Sequence, residues 1–303
     1  MAMRAEPWRS LGFVLFAIAA SAMAGDSLVR AGQPHTRAEH AGERTEARRG
    51  DPLWEIGVIG GGGTLPDYPA ADQNHARGLA LPYAVYRGPV FRVGDGGIIR
   101  GKLIDTRLIE FNLALDGSLP ADSEDNEARE GMPDLDTLLE AGPRLIFKFL
   151  PPDSDQELNA SIATRAVFST DLPINWRYQG FVINPRLSYG DERFHEGRLR
   201  LGASIGPLFG FGGLNRYFYE VQPQFARPGR PDYDADGGYI GTELSLSVSW
   251  LPFSRVRLFA GVQLGYFNWS ANENSPLHRD DLNLTAGAGL RLAIFQSERR
   301  VRR

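Results

Sequence analysis

From Leu282 to Ile294 the chain sets Leu282, Leu284, Ala286, Ala288, Leu290, Leu292 and Ile294 in one phase. Asn283, Thr285, Gly287, Gly289, Arg291 and Ala293 fill the other. A period of two sustained this long describes a strand with one apolar and one polar face. The pattern recurs along the chain. Val256, Leu258, Ala260, Val262, Leu264 and Tyr266 oppose Arg255, Arg257, Gly261, Gln263 and Gly265. Leu244, Leu246, Val248 and Trp250 oppose Glu243, Ser245, Ser247 and Ser249, and Leu199, Leu201, Ala203 and Ile205 oppose Arg198, Arg200, Gly202 and Ser204. Leu145, Phe147 and Phe149 oppose Arg144 and Lys148, while Ile109, Phe111, Leu113 and Leu115 oppose Glu110 and Asn112.

Strands in soluble proteins average about 5–6 residues, whereas a tilted strand crossing a bilayer needs about 9–11. The repeated runs fit the second length, and their Gly, Ser and Arg faces suit a wet, crowded lumen. Trp54, Tyr83, Tyr86, Tyr189, Tyr217, Tyr219, Trp250, Tyr266 and Trp269 fall near strand ends, as interfacial girdles do. Lipid offers nothing to an open sheet edge, so such strands must close on themselves. The expected fold is therefore all-β, an antiparallel transmembrane up-and-down β-barrel of about twelve strands, with ten to fourteen as the range. The strands are placed at 54–62, 79–86, 97–103, 106–115, 139–150, 157–169, 179–189, 198–210, 213–221, 238–250, 256–268 and 282–295.

The ends of the chain read differently. Arg4 and Arg9 precede an apolar run from Leu11 to Ala20, and Ala22-Met23-Ala24 supplies a small-residue cleavage site before Gly25. Residues 1–24 are read as a signal peptide cut between Ala24 and Gly25, so the chain is expected to be exported to the cell outer membrane. Residues 25–52 are polar and charged, too poor in apolar groups to offset ordering entropy, and read as a disordered leader. The barrel is assigned to 53–295 and a basic tail to 296–303. The chain has no cysteine, which excludes disulfides, thiolate metal sites and a cysteine nucleophile. A net charge of −4 with mixed signs gives no basic face for nucleic acid.

The run Gly60-Gly61-Gly62-Gly63 after Ile56-Gly57-Val58-Ile59 invites a dinucleotide-binding reading. That fingerprint needs a glycine at 65, where Leu65 stands, and Pro66 and Pro69 block the helix that would hold a pyrophosphate. The stretch instead resembles the opening of the MltA-interacting protein / OmpV family of outer-membrane proteins. The resemblance lies in Trp54, Gly57 and Gly60 with Pro66-Asp67-Tyr68-Pro69, then Leu81-Pro82-Tyr83-Ala84-Val85-Tyr86-Arg87-Gly88. It continues in Ala128-Arg129-Glu130-Gly131-Met132-Pro133-Asp134-Leu135, Ala141-Gly142-Pro143 and Asn274-Ser275-Pro276, and covers about residues 53–295. The opening glycines then become small, lumen-facing or tightly packed positions of the first strand. Phe295 sits in the wrong phase for a terminal lipid-facing aromatic, so either the last strand bulges or Ile294 ends its lipid face.

The resemblance implies a non-enzymatic scaffold joining a lytic transglycosylase to a murein synthase in the periplasm, with outer-membrane lipid around the barrel. A porin-like channel for small, anionic solutes is the alternative, since Arg186, Arg198, Arg200, Arg255, Arg257 and Arg291, with Glu110 and Glu243, are expected inside the lumen. Arg107, Arg144 and Lys148 are expected there too. Such charge serves either a selective pore or a filled lumen. The acidic segment 116–140 matches no calcium loop. Twelve strands place it on the periplasmic side, one strand fewer places it outside. On the periplasmic side Asp122, Glu124, Asp125, Glu127, Arg129, Met132 and Asp134 would form a docking loop. Ser275, His278 and Asp280 lie close in sequence, but proximity is not triad geometry, and no histidine has metal-ligand spacing. No catalytic, metal or cofactor site is expected, nor any cofactor.

Overall fold

The computed structural model describes residues 51–301 except 88–91, 94–98, 101–103, 152, 172–174 and 196–197. The signal peptide with Ala24 and Gly25, and all but the last two residues of the leader, lie outside the described residues. Among those described, ten long strands form one antiparallel sheet. They are β1 (Trp54–Pro66), β2 (Asn74–Arg87), β3 (Ile109–Ser118), β4 (Thr137–Lys148), β5 (Gln156–Asp171), β6 (Asn175–Phe194), β7 (Leu199–Phe211), β8 (Gly238–Phe253), β9 (Val256–Tyr266) and β10 (Leu282–Gln296). From β3 to β10 each strand pairs with the next, and β10 then pairs with β1, which pairs with β2. This first-to-last pairing is the topology of an up-and-down barrel. The two ends of the ladder meet where Ile99–Arg100 lies beside β3 and where Arg77 of β2 donates to the Pro120 carbonyl just beyond β3.

Apolar and polar faces separate as the alternation requires. Leu201, Ile205, Leu244, Leu246, Leu258, Val262, Leu284, Leu290 and Leu292 point outward and are exposed, forming the surface that lipid covers. Their neighbours Glu110, Asn112, Arg165, Ser245, Arg257, Asn283 and Arg291 point inward and are buried. Among the described residues no helix is long and apolar enough to cross a membrane.

Two expected strands are not found as long strands among the described residues. At 97–103 the described part is the two-residue strand Ile99–Arg100. The segment 213–221 is instead a short helix, α1 (Leu214–Tyr219). Its buried residues Leu214, Asn215, Phe218 and Tyr219 recur at helical spacing, which the aromatic richness of Arg216-Tyr217-Phe218-Tyr219 masks. Removing both leaves ten strands and shifts the parity of every element between them.

The register settles the end of the barrel. Ala293 pairs with Gly57 and Phe295 with Ile56, so Ile294 is the extra residue of a bulge. Ile294 and Phe295 both face outward as a result. Gly60 to Gly63 lie at the centre of β1 between β10 and β2, with Gly57, Gly61 and Gly63 in the inward phase and Gly60 and Gly62 outward. A Cβ on Gly57 would stand 1.9 Å from the Leu292 carbonyl oxygen.

Gly57→Val is expected to cost about 3 kcal/mol, the upper range for overpacking. The loss should appear as a smaller heat-modifiable, folded fraction on unboiled gels after refolding in detergent. Gly131→Ala tests only backbone strain, because a Cβ there meets nothing within 4 Å at a φ of +76°. It should cost about 1 kcal/mol.

Candidate functional site: a capped, charge-paired lumen

The short connections 149–155, 195–198 and 254–255, and the longer 88–108, lie at the end of the barrel that carries Trp54 and Gln296. The long connections 67–73, 119–136, 212–237 and 267–281 lie at the other, with the three-residue 172–174. Outer-membrane barrels keep short turns on the periplasmic side and long loops outside. By that rule the acidic segment falls outside, opposite the side that twelve strands implied, and there it would not be a periplasmic docking loop.

The four long loops fold over the barrel mouth as one body. Tyr68, Ala71, Ala121, Leu135, Leu214, Phe218, Tyr219, Val221, Phe267 and Leu277 pack in one apolar cluster with Leu138, Val182 and Ile240 from the upper barrel wall. Asp67 links the loops through its buried carboxylate. It meets Arg77 Nη2 at 2.7 Å, His75 Nδ1 at 2.8 Å and Asn126 Nδ2 at 2.8 Å. Arg129 is buried and donates to the carbonyls of Phe218 at 3.3 Å and Pro133 at 3.1 Å, with its guanidinium 5.7 Å from the Tyr68 ring. Burial pushes the Arg129 guanidinium below its usual pKa and the Tyr68 and Tyr219 phenols above theirs. Asn283 of β10 clasps the first loop, accepting from Ala70 N at 2.8 Å and donating to the Ala71 carbonyl at 2.7 Å. Ala70 itself holds a φ of +65°.

Of the other residues expected in a docking loop, Met132 packs against the apolar cluster. Asp134 accepts from Ser123 N at 2.8 Å and Asp122 from Glu124 N at 2.9 Å. Glu124, Asp125 and Glu127 stay exposed on the outer surface. Ser275 is buried and gives its hydroxyl proton to the Tyr219 carbonyl at 2.6 Å. His278 meets Asp281, not Asp280, at 3.0 Å. The three residues form no nucleophile–base relay.

Below the cap the inward charges are matched with opposite ones. Arg186 meets Glu243 at 2.9 Å and Ser204 Oγ at 3.2 Å. Arg200 bridges Glu157 at 3.0 Å and Glu192 at 2.5 Å. Arg291 reaches Glu55 at 3.3 Å and lies 5.5 Å from the Tyr83 ring centre. Glu110 receives Lys148 at 3.1 Å and Asn112 Nδ2 at 2.7 Å, while Arg144 Nε donates to Asn112 Oδ1 at 3.1 Å. Arg257 Nη1 donates to Ser249 Oγ at 3.1 Å. Arg198, Arg255 and Arg107 are corrections: all three sit in turns at the short-turn end and are exposed. Their sequence phase matches the lumen, but the strands begin one residue or more later, at Leu199, Val256 and Ile109.

Sequence reading missed one buried pair, Arg165 with Glu140. Arg165 Nε meets Glu140 at 2.8 Å, with Asp116 at 3.5 Å from its Nη2. It also missed Glu55, Glu157 and Glu192, and the inward Phe259, whose ring occupies the space over Gly289. The signal for Arg165 is present in the inward phase Glu157, Asn159, Ser161 and Ala163 of its own strand. Between the cap and these pairs lies a cavity of about 430 Å³, running from Leu65, Phe218 and Phe267 down to Glu157, Gly190 and Arg200.

A family model described as MltA-interacting protein MipA matches residues 57–292. No curated protein matches the chain. Among solved structures, outer membrane phospholipase A from Escherichia coli is similar at 12% identity, covering 82% of this chain and 96% of that one, with a TM-score of 0.33. An active-site mutant of the same phospholipase at pH 6.1 gives 13% identity, 90% and 97% coverage and a TM-score of 0.34. The outer membrane protein OprG from Pseudomonas aeruginosa gives 10% identity, 81% and 95% coverage and a TM-score of 0.21.

Leu277→Ala should remove about 2–5 kcal/mol from the cap by opening a cavity in its core. Limited proteolysis of the refolded chain should then cut within 119–136 or 212–237 sooner than in the parent, while the barrel still migrates as a heat-modifiable band. Glu140→Ala leaves Arg165 with only the more distant Asp116 and should cost about 3 kcal/mol, read as a lower urea midpoint for the whole barrel.

Proposed function

Because the chain belongs to the MltA-interacting protein family, we propose that this outer-membrane β-barrel is a non-enzymatic scaffold. In this reading its short-turn end holds a lytic transglycosylase in the periplasm and brings it to a murein synthase. One observation carries the reading: the loops that a channel would keep apart are packed into a single cap over the lumen. Transit would require breaking that cluster together with the Asp67 hydrogen bonds. The pairing of Arg165, Arg186, Arg200 and Arg291 with carboxylates also leaves little net positive field to draw an anion through, which weighs against the porin-like reading.

A scaffold needs a surface its partner can reach. The short-turn end offers exposed Arg107, Arg198, Arg255 and Arg299 beside exposed Phe194 and Phe253. Such a rim suits a partner with an acidic face, where charge chiefly sets the rate of encounter.

The test uses the refolded chain in lipid nanodiscs and a purified lytic transglycosylase. Capture at the nanodisc surface is expected, and Arg198→Glu combined with Arg255→Glu should slow association about tenfold at low salt. In planar bilayers the same chain should show no stable conductance steps. Steps in the intact chain, together with no capture, would make the channel the better reading.

A further inference from the structure

The cavity beneath the cap belongs to neither the scaffold surface nor the cap core. Its lining divides by height. The roof is apolar, made by Leu65, Val182, Leu214, Phe218, Ile240 and Phe267. The lining carries five arginines (Arg77, Arg144, Arg165, Arg186 and Arg200) against five carboxylates (Asp67, Asp116, Glu140, Glu157 and Glu243), the Arg77–Asp67 pair at the cap and the others in the walls below. Serine hydroxyls, among them Ser204 and Ser245, fill the wall between them with Asn159, Gln263 and Thr285. A volume of about 430 Å³ falls within the range of small-molecule sites.

This division sets a chemical class. A wall without net charge gives a simple anion or cation no electrostatic gain, because each meets as much repulsion as attraction. A zwitterion differs. It can insert at a wall ion pair, placing its carboxylate on the arginine and its ammonium on the glutamate, so that every charge keeps a partner. The Arg186–Glu243 pair is the candidate. Its two side chains are 22% and 21% exposed, more open than Arg165 or Arg200. Ser204 already orients Arg186, and Ser245 and Gln263 lie at hydrogen-bonding distance of each other on the adjacent strands. Val182 stands four residues above Arg186 on β6, about 13 Å along the strand, with Asn184 between them. That span places an apolar roof within reach of a dipeptide-sized ligand held at the pair.

We propose that this cavity binds a small zwitterion bearing apolar side chains, of dipeptide size, at Arg186 and Glu243 beneath the apolar roof. The cap closes the loop end, so the ligand enters from the short-turn end past Arg200, which the Glu157 and Glu192 carboxylates hold across Gly190. A barrel that passes nothing across the membrane then still samples a periplasmic solute.

Isothermal titration calorimetry on the detergent-refolded chain tests this with four probes: leucyl-leucine, its C-terminal amide, its N-acetyl form and maltose. Leucyl-leucine should bind with a Kd below about 1 mM, and each singly charged form at least about tenfold more weakly, as expected for losing one charged contact. Maltose should not bind. Arg186→Gln and Glu243→Gln should each weaken leucyl-leucine by about tenfold. Equal binding of the three peptides, binding of maltose alone, no binding, or full affinity in a folded variant at either position would overturn the proposal. Should a variant fail to fold, the comparison among the three peptides on the parent chain still decides.

Discussion

The whole structure rests on closing a backbone ladder where no water can substitute for it. Each unpaired N–H or C=O in hydrocarbon costs several kcal/mol, so a sheet that enters lipid must return to its own first strand. Here the β10–β1 pairing brings the last strand back to the first. The two ends of the sheet approach each other where Ile99–Arg100 lies beside β3, with no ladder between β2 and β3 among the described residues. The β10–β1 pairing joins residues more than two hundred positions apart and cannot form until most of the chain has been laid down. Its local chemistry follows from the demand for closeness: at Gly57 even a methyl group would collide with the Leu292 carbonyl. The bulge at Ile294 serves the same closure, because it carries Phe295 back to the lipid side opposite Ile56.

Once the wall is closed, its interior must be wet, filled, or both. This barrel fills the mouth with apolar loop residues and the lower lumen with matched charges. Buried ion pairs add little net stability against their desolvation cost, yet each is costly to break singly. They therefore act less as glue than as a lock on register, since a one-residue slip would turn Arg165 and Glu140 into lipid. The cap has a comparable hub in Asp67, whose three donors come from the first strand pair and from the 119–136 loop.

The motifs that carried the family resemblance acquire a physical meaning in this light. Pro66-Asp67-Tyr68-Pro69 supplies the hub and a core ring, and Tyr219 donates to the Pro69 carbonyl at 3.1 Å. Ala128 to Leu135 supplies Arg129, the positive-φ turn at Gly131 and the packing of Met132 and Leu135. Asn274-Ser275-Pro276 supplies the Ser275 bond that pins α1. All three stretches converge on the cap, although none lies near another in sequence.

Alternation by itself determined that the chain is a lipid-facing antiparallel barrel, which residues of β3, β4 and β7 to β10 face out, and that Arg186, Arg200, Arg257, Arg291, Glu110 and Glu243 face in. Period and polarity are local properties, written within a dozen residues. Strand count was less legible, because α1 hides its helical period behind aromatics and within 97–103 only Ile99–Arg100 is described as strand. One miscounted strand reversed the side of the acidic loop. Only the tertiary structure decided where Arg198 and Arg255 lie, since phase continues into a turn but the wall does not. Only it decided that Arg129 is buried and Met132 packs against the apolar cluster, and that the lumen is capped. Those outcomes depend on which loops share one end of the barrel, and that follows from closing the ladder over the whole chain.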